Sequence, residues 1–121
     1  MRELKGVVLL KGFKDKNSRL YDKTEMFTAV YKKRLIGELV DNTAGLTVDL
    51  SKVSHAIDNI AVVNDDLVGD ITVLDTPMGA IVQQLMETGV EFEPAIRGTG
   101  KVTSDLEVYE LSLLTFDLRK K

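Results

Sequence analysis

The chain has 121 residues, enough for one domain and too few for two separate cores. Apolar residues make up 44% and charged residues 29%, which excludes a disordered polymer, and the absence of cysteine excludes disulfides, thiolate metal sites and cysteine nucleophiles together. The net charge of −3 is segregated: residues 1–35 carry ten Lys/Arg against four Asp/Glu, residues 36–118 carry three against fifteen, and the last three residues are all basic.

In chain order, Gly6 to Leu10 is a short apolar run rich in valine and predicts a buried strand. Lys14 to Arg19 is polar and turn-like. Asp22 and Glu25 have capping-box spacing and open a helix whose apolar stripe pairs Met26 with Val30 and Phe27 with Tyr31. Lys32, Lys33 and Arg34 are placed in its last turn, where cations favour the helix dipole. Leu35 to Val40 reads as a strand, Asp41 to Gly45 as a loop, and Thr47 to Leu50 as a short extended piece.

Val53 to Val63 is rich in β-branched residues and predicts a long strand, turned at Asn64 to Asp66 into a second. In that second strand Leu67, Ile71 and Val73 alternate with Asp70 and Thr72. Thr76 then caps a helix with Pro77 at its first position, and Gly89 marks its end. Phe92 to Ile96 predicts a strand at an edge or bent, because Pro94 cannot donate to a ladder. Gly98 to Gly100 reads as a bend or bulge. Val102 to Ser104 and Val108 to Leu118 are strands, with a turn at Asp105 to Glu107. The class is α+β: a mainly antiparallel small barrel or sheet with two helices.

Few residues invite chemistry. His55 is the single histidine, and its apolar neighbours favour a half-buried sheet residue bonded to a backbone carbonyl. As a general base it needs a nearby hydroxyl; Ser54 adjoins it, but strand neighbours point to opposite faces, which leaves Thr103, Ser104 or Ser112 by tertiary contact. Asp65, Asp66 and Asp70 lack calcium-loop spacing, and the glycines of Gly98-Thr99-Gly100 are too few for a phosphate cradle. Glu91 and Glu93 share a strand face and can pair with Lys101. No cofactor or metal is expected. The acidic balance makes nucleic acid an unlikely partner despite the basic first third. No apolar run nears the roughly 20 residues that span a bilayer. Lys5 and Lys11 interrupt any leader-like stretch, so a soluble protein inside a cell is expected.

Three segments together resemble the prohead core serine proteases of large tailed phages, which mature the procapsid. Asn17-Ser18-Arg19-Leu20-Tyr21 is similar to an Asn-x-Arg-x-Tyr segment. Gly37-Glu38-Leu39 follows, and then the run from Val48 to Ile57. Leu74 to Gly79, Gly89-Val90 and Arg97-Gly98-Thr99-Gly100 complete the set, in the family's order across nearly the whole chain. The resemblance implies a single prohead-protease-like domain over residues 1–121 and a herpesvirus-protease-like fold. It also implies where a working site would be. The family's base lies in Gly-Glu-Leu-x-His-Pro, where this chain has Asp41. Its nucleophile lies in Ser-Ser-Arg-Gly-x-Gly, where this chain has Ala95 and Ile96. With both groups missing, the chain is expected to be a shortened relative without catalysis.

The leading expectation is therefore a non-enzymatic virion or procapsid protein, a capsid decoration or cement protein. It would act in the virion, or in the host cytoplasm during assembly, and form homo-oligomers or bind capsid proteins. Its contact candidates are Lys14, Lys16, Arg19, Lys32, Lys33 and Arg34 on the basic side, and Glu91, Glu93, Glu107 and Glu110 on the acidic side. Two alternatives stay open: an inactive homologue that binds the active protease or core, and a serine hydrolase with a relocated site using His55. Asp41 and Asp117 are left as residues that a remnant site would bring together.

Overall fold

The structure is a computed structural model that describes residues 1–40, 45 and 47–121. The elements run β1 (Arg2–Leu10), β2 (Leu20–Tyr21), α1 (Lys23–Val30), β3 (Leu35–Glu38), β4 (Val53–Val63), β5 (Asp66–Val73), α2 (Pro77–Glu87), β6 (Phe92–Val102) and β7 (Glu107–Lys120), with a 3-10 turn at Leu50–Lys52. They form a four-stranded sheet in the order β1-β5-β4-β3 and a three-stranded sheet in the order β2-β7-β6. All pairings between these strands are antiparallel except β2 with β7. A parallel bridge between Leu39 and Leu118 joins the two sheets at one margin. At the other margin β1 and β6 lie near each other without a shared ladder.

The hydrophobic pattern explains the layers. Along β5, Leu67, Gly69, Ile71 and Val73 are buried and the residues between them are not, as strict alternation requires of a sheet with one covered face. Phe13, Met26, Ile57, Val82, Phe116 and Leu118 meet them in one core. The first five residues of β4 are buried without alternation, because both of its faces are covered there.

Several expectations are met, the strand after the turn shifted by one residue to Asp66–Val73. The β4–β5 hairpin has its expected strands, Asp22 caps α1 by accepting from the Glu25 amide, and Thr76 caps α2 by accepting from the Gly79 amide at 3.0 Å. Others are corrected. Lys32, Lys33 and Arg34 follow α1 instead of closing it: Tyr31 already has extended backbone and Lys32 is left-handed, so the chain has turned toward β3. The Glu25 carboxylate does not close a capping box; it accepts from the Leu111 amide of β7. Phe92 to Val102 is one strand, with two bulges absorbing the Gly98–Gly100 irregularity. Leu50 belongs to the 3-10 turn, not to an extended piece. The two-residue β2 was too short to give a periodic signal.

Gly79 shows how tightly α2 is seated. A Cβ there would collide with the Leu74 carbonyl oxygen and lie 2.9 Å from the Ser54 carbonyl oxygen, both rigid backbone atoms. Gly79→Ala is therefore expected to destabilise the fold by about 3 kcal/mol in urea unfolding. A loss under about 0.5 kcal/mol, the level of a neutral surface change, would show that α2 is not packed this closely.

Candidate functional site

The densest polar cluster is buried where the two sheets join. Arg97 leaves β6 beside β7 and donates from one terminal nitrogen to Asp117 Oδ1 at 2.9 Å and to Glu38 Oε2 at 3.0 Å. Its other terminal nitrogen reaches the Gly45 and Thr47 carbonyls at 3.3 Å each. The Glu38 amide donates to Asp117 Oδ1 at 3.0 Å, and the Asp49 amide donates to Glu38 Oε2 at 3.0 Å. All three charged side chains are at least nine-tenths buried. One guanidinium thus faces two carboxylates in a low-dielectric place. Burial pushes the Asp117 carboxyl above its ordinary value, more than the Glu38 amide and the Arg97 charge pull it down. Among the described residues, none accepts from the buried Arg97 Nε.

Next to this cluster lies His55, completely buried on β4. Its Nε2 is 2.9 Å from the Phe116 carbonyl oxygen and its Nδ1 is 2.7 Å from Ser54 Oγ. A carbonyl only accepts, so Nε2 carries the proton and Nδ1 accepts from the serine hydroxyl. The expectation that Ser54 and His55 point apart is overturned. Gly37 pairs with His55 and Glu38 with Val53, so Ser54 is the extra residue of a bulge, which re-aims its side chain. The pair has the order of a nucleophile and its base, but Ser54 is also completely buried. Burial pulls His55 from 6.5 to about 4, with the Phe116 carbonyl offsetting part of the shift. The ring fits because residue 37 is glycine: a Cβ there would lie 2.6 Å from His55 Nε2.

Ala95 and Ile96 pair with Asp117 and Phe116 of β7, directly before Arg97. Asp41 lies outside the described residues. Asp117 is a partner of Arg97 and Glu38, a trio that sequence reasoning missed. The readable signal was a charged residue flanked by the apolar Phe116 and Leu118.

The surface candidates do not gather into one basic and one acidic face. Lys14, Lys16 and Arg19 line an open groove together with Glu93. Lys16 and Arg119 both pair with Glu93. Lys101 pairs with Glu110 at 3.1 Å and not with Glu91 or Glu93, which sit at the other end of β6. Glu91 lies 3.8 Å from Lys121. Arg34 pairs with Asp58 at 3.4 Å, the Lys32 ammonium lies over the Tyr31 ring, and Lys33 is exposed. Glu107 opens β7, where its amide donates to Thr103 Oγ1.

The structure of the bacteriophage T4 capsid assembly protease, gp21, superposes with a TM-score of 0.75 at 21% identity, covering 98% of this chain and 91% of that one. The chain therefore has a phage prohead protease-like fold: mixed α+β, antiparallel-rich, with two helices. No protein-family model matches the sequence, and no curated protein matches it.

Two predictions follow from the buried cluster. His55 is neutral in the fold and titrates lower there than in the unfolded chain. Its stabilisation is complete above about pH 6.5 and is lost as pH falls through about 4. The loss amounts to about 3 kcal/mol. His55→Asn should be less stable at pH 7, but its unfolding free energy should fall less between pH 7 and 4 by roughly that 3 kcal/mol. Equal acid sensitivity of the two proteins would place His55 in contact with water. Arg97→Met strands two buried carboxylates and should cost about 4 kcal/mol. Asp117→Asn keeps the acceptor and removes a charge that burial already disfavours, so denaturant titration should show less than half that loss.

Proposed function

We propose that the chain is a phage capsid-assembly protein that works by binding on a protease-like scaffold and does not cleave peptides. The observation that carries the reading is the side-chain chemistry of β6: Ala95 and Ile96 offer only hydrocarbon in the half-buried stretch before Arg97. A hydrolase needs an accessible nucleophile, and the one hydroxyl paired with the histidine is sealed in the core. Similarity to a capsid assembly protease supports a place in the procapsid or virion, and in the host cytoplasm during assembly. We read the two joined sheets as an open form of the herpesvirus-protease-like barrel.

The form we favour is a decoration or cement protein that contacts capsid subunits, as oligomers or one copy at a time. An inactive partner of the maturation protease is the second reading, favoured by the shared fold itself, since related domains offer matching edges. Pull-down from infected cells separates the two: enrichment of the major capsid protein supports cement, and enrichment of the protease supports the partner reading. A fluorophosphonate probe tests the non-catalytic claim. The folded chain and its Ser54→Ala variant are expected to remain equally unlabelled. Labelling that disappears in Ser54→Ala would make the chain a hydrolase with a relocated site using His55.

A further inference from the structure

The margin where the sheets do not join is an open groove of about 1050 Å³. Its walls are the end of β1 from Val7, the loop Lys14 to Arg19, the start of β6 from Phe92 to Ile96, and residues 119–121. Seven Lys/Arg and two carboxylates line it, in a chain whose net charge is −3. Both carboxylates are already engaged: Asp15 by Arg19 at 2.7 Å and the Tyr21 hydroxyl at 2.8 Å, and Glu93 by Lys16 and Arg119. Among the described residues, no carboxylate lies within 4.0 Å of the Lys11, Lys14 or Lys120 ammonium groups. The groove therefore holds uncompensated positive charge.

Its walls also hold unpaired backbone. β1 ends one sheet and β6 ends the other, and among the described residues no strand pairs with their outer edges. The two edges are not equivalent. β1 is interrupted by irregularities between Leu4 and Val7 and between Val8 and Leu10, which spoil it as a template. β6 pairs with β7 in unbroken register from Phe92 to Arg97, so its outer edge over that stretch is regular. Phe92, Pro94, Ala95 and Ile96 are only partly covered and supply an apolar floor.

We infer that this groove binds an extended acidic segment of another protein, added as a strand to the outer edge of β6 between Phe92 and Ile96. Five residues of strand span about 17 Å. Backbone bonds along the edge would supply affinity, and the cations on the rim would select carboxylates on the incoming strand. Pro94 offers no N–H and removes one possible bond. A polypeptide fits better than a nucleic acid, because an unpaired strand edge is complementary to another backbone and a phosphate chain offers no N–H to its carbonyls. The inference is separate from the capsid reading, since it concerns the chemistry of one margin and not the identity of the assembly.

Fluorescence anisotropy with a labelled peptide of about ten residues alternating Glu and Val tests it, the length being chosen to overrun the edge at about 3.3 Å per residue. The peptide should bind the full chain. The double variant Lys14→Glu, Lys120→Glu, both changes being on exposed side chains, should weaken binding by about tenfold or more. Alternating Lys and Val, or single-stranded DNA of similar length, should not bind. Amide hydrogen exchange should slow on binding within Phe92 to Ile96. Absence of binding, an unchanged affinity in the double variant, tighter binding of the DNA, or protection elsewhere than β6 would each overturn the proposal.

Discussion

Four consecutive residues of β7 hold the two sheets together. Thr115 donates its hydroxyl to the Ile36 carbonyl, Phe116 accepts from the His55 ring, Asp117 accepts from the Glu38 amide, and Leu118 accepts from the Val40 amide. Where two sheets meet without a continuous ladder, the joining strands lose regular backbone partners. Buried N–H and C=O groups cannot be left unpaired without costing about 1–3 kcal/mol each. Side chains therefore take over the ladder's work, and only polar ones can. That requirement accounts for a threonine, a histidine, an aspartate and an arginine in the driest part of the molecule. Ionisable groups buried for this purpose stabilise through the bonds they complete, since the charges themselves are expensive to bury.

The same requirement separates what was legible in the sequence from what was not. Local signals survived well. The alternation of β5, the Asp22 and Thr76 caps and the turn after β4 depend on neighbours within a few residues, and each was readable. Pro94 narrowed β6 to an edge or a bent strand, and the edge is what the sheet order shows, because a missing N–H is a local fact with a topological consequence. The Arg97–Glu38–Asp117 trio was not legible, since its members stand far apart in the chain and meet only after both sheets have formed. Ser54 was misplaced by a rule that holds for regular strands and fails at a bulge. The end of α1 was overrun because Lys32, Lys33 and Arg34 fit a helix end in composition, while the left-handed backbone at Lys32 carries no clear sequence mark.

His55 shows why proximity alone does not make a site. Its ring nitrogens have a hydroxyl on one side and an orienting acceptor on the other, which is the wiring of an activated serine. Burial reverses the meaning. A base held near 4 draws a proton weakly at neutral pH, and the Ser54 hydroxyl is completely buried. The ring instead fills the space over Gly37 and completes the Phe116 carbonyl, so its chemistry serves the join between the sheets.

The opposite margin follows from the same geometry. Two sheets fastened between β3 and β7 could close into a barrel only by pairing β1 with β6. The cations lining that gap oppose closure. Bringing their like charges together and stripping their water would cost more than a few ladder bonds return. Desolvation first, and then the charges of Arg119 and Lys121, hold Lys16 below its ordinary value. The same charges discourage β6 from pairing with β6 of a second copy, a common fate of regular exposed edges. An incoming strand that carries negative charge meets neither obstacle, so the charges that oppose pairing of β1 with β6 also favour the acidic strand proposed for that edge.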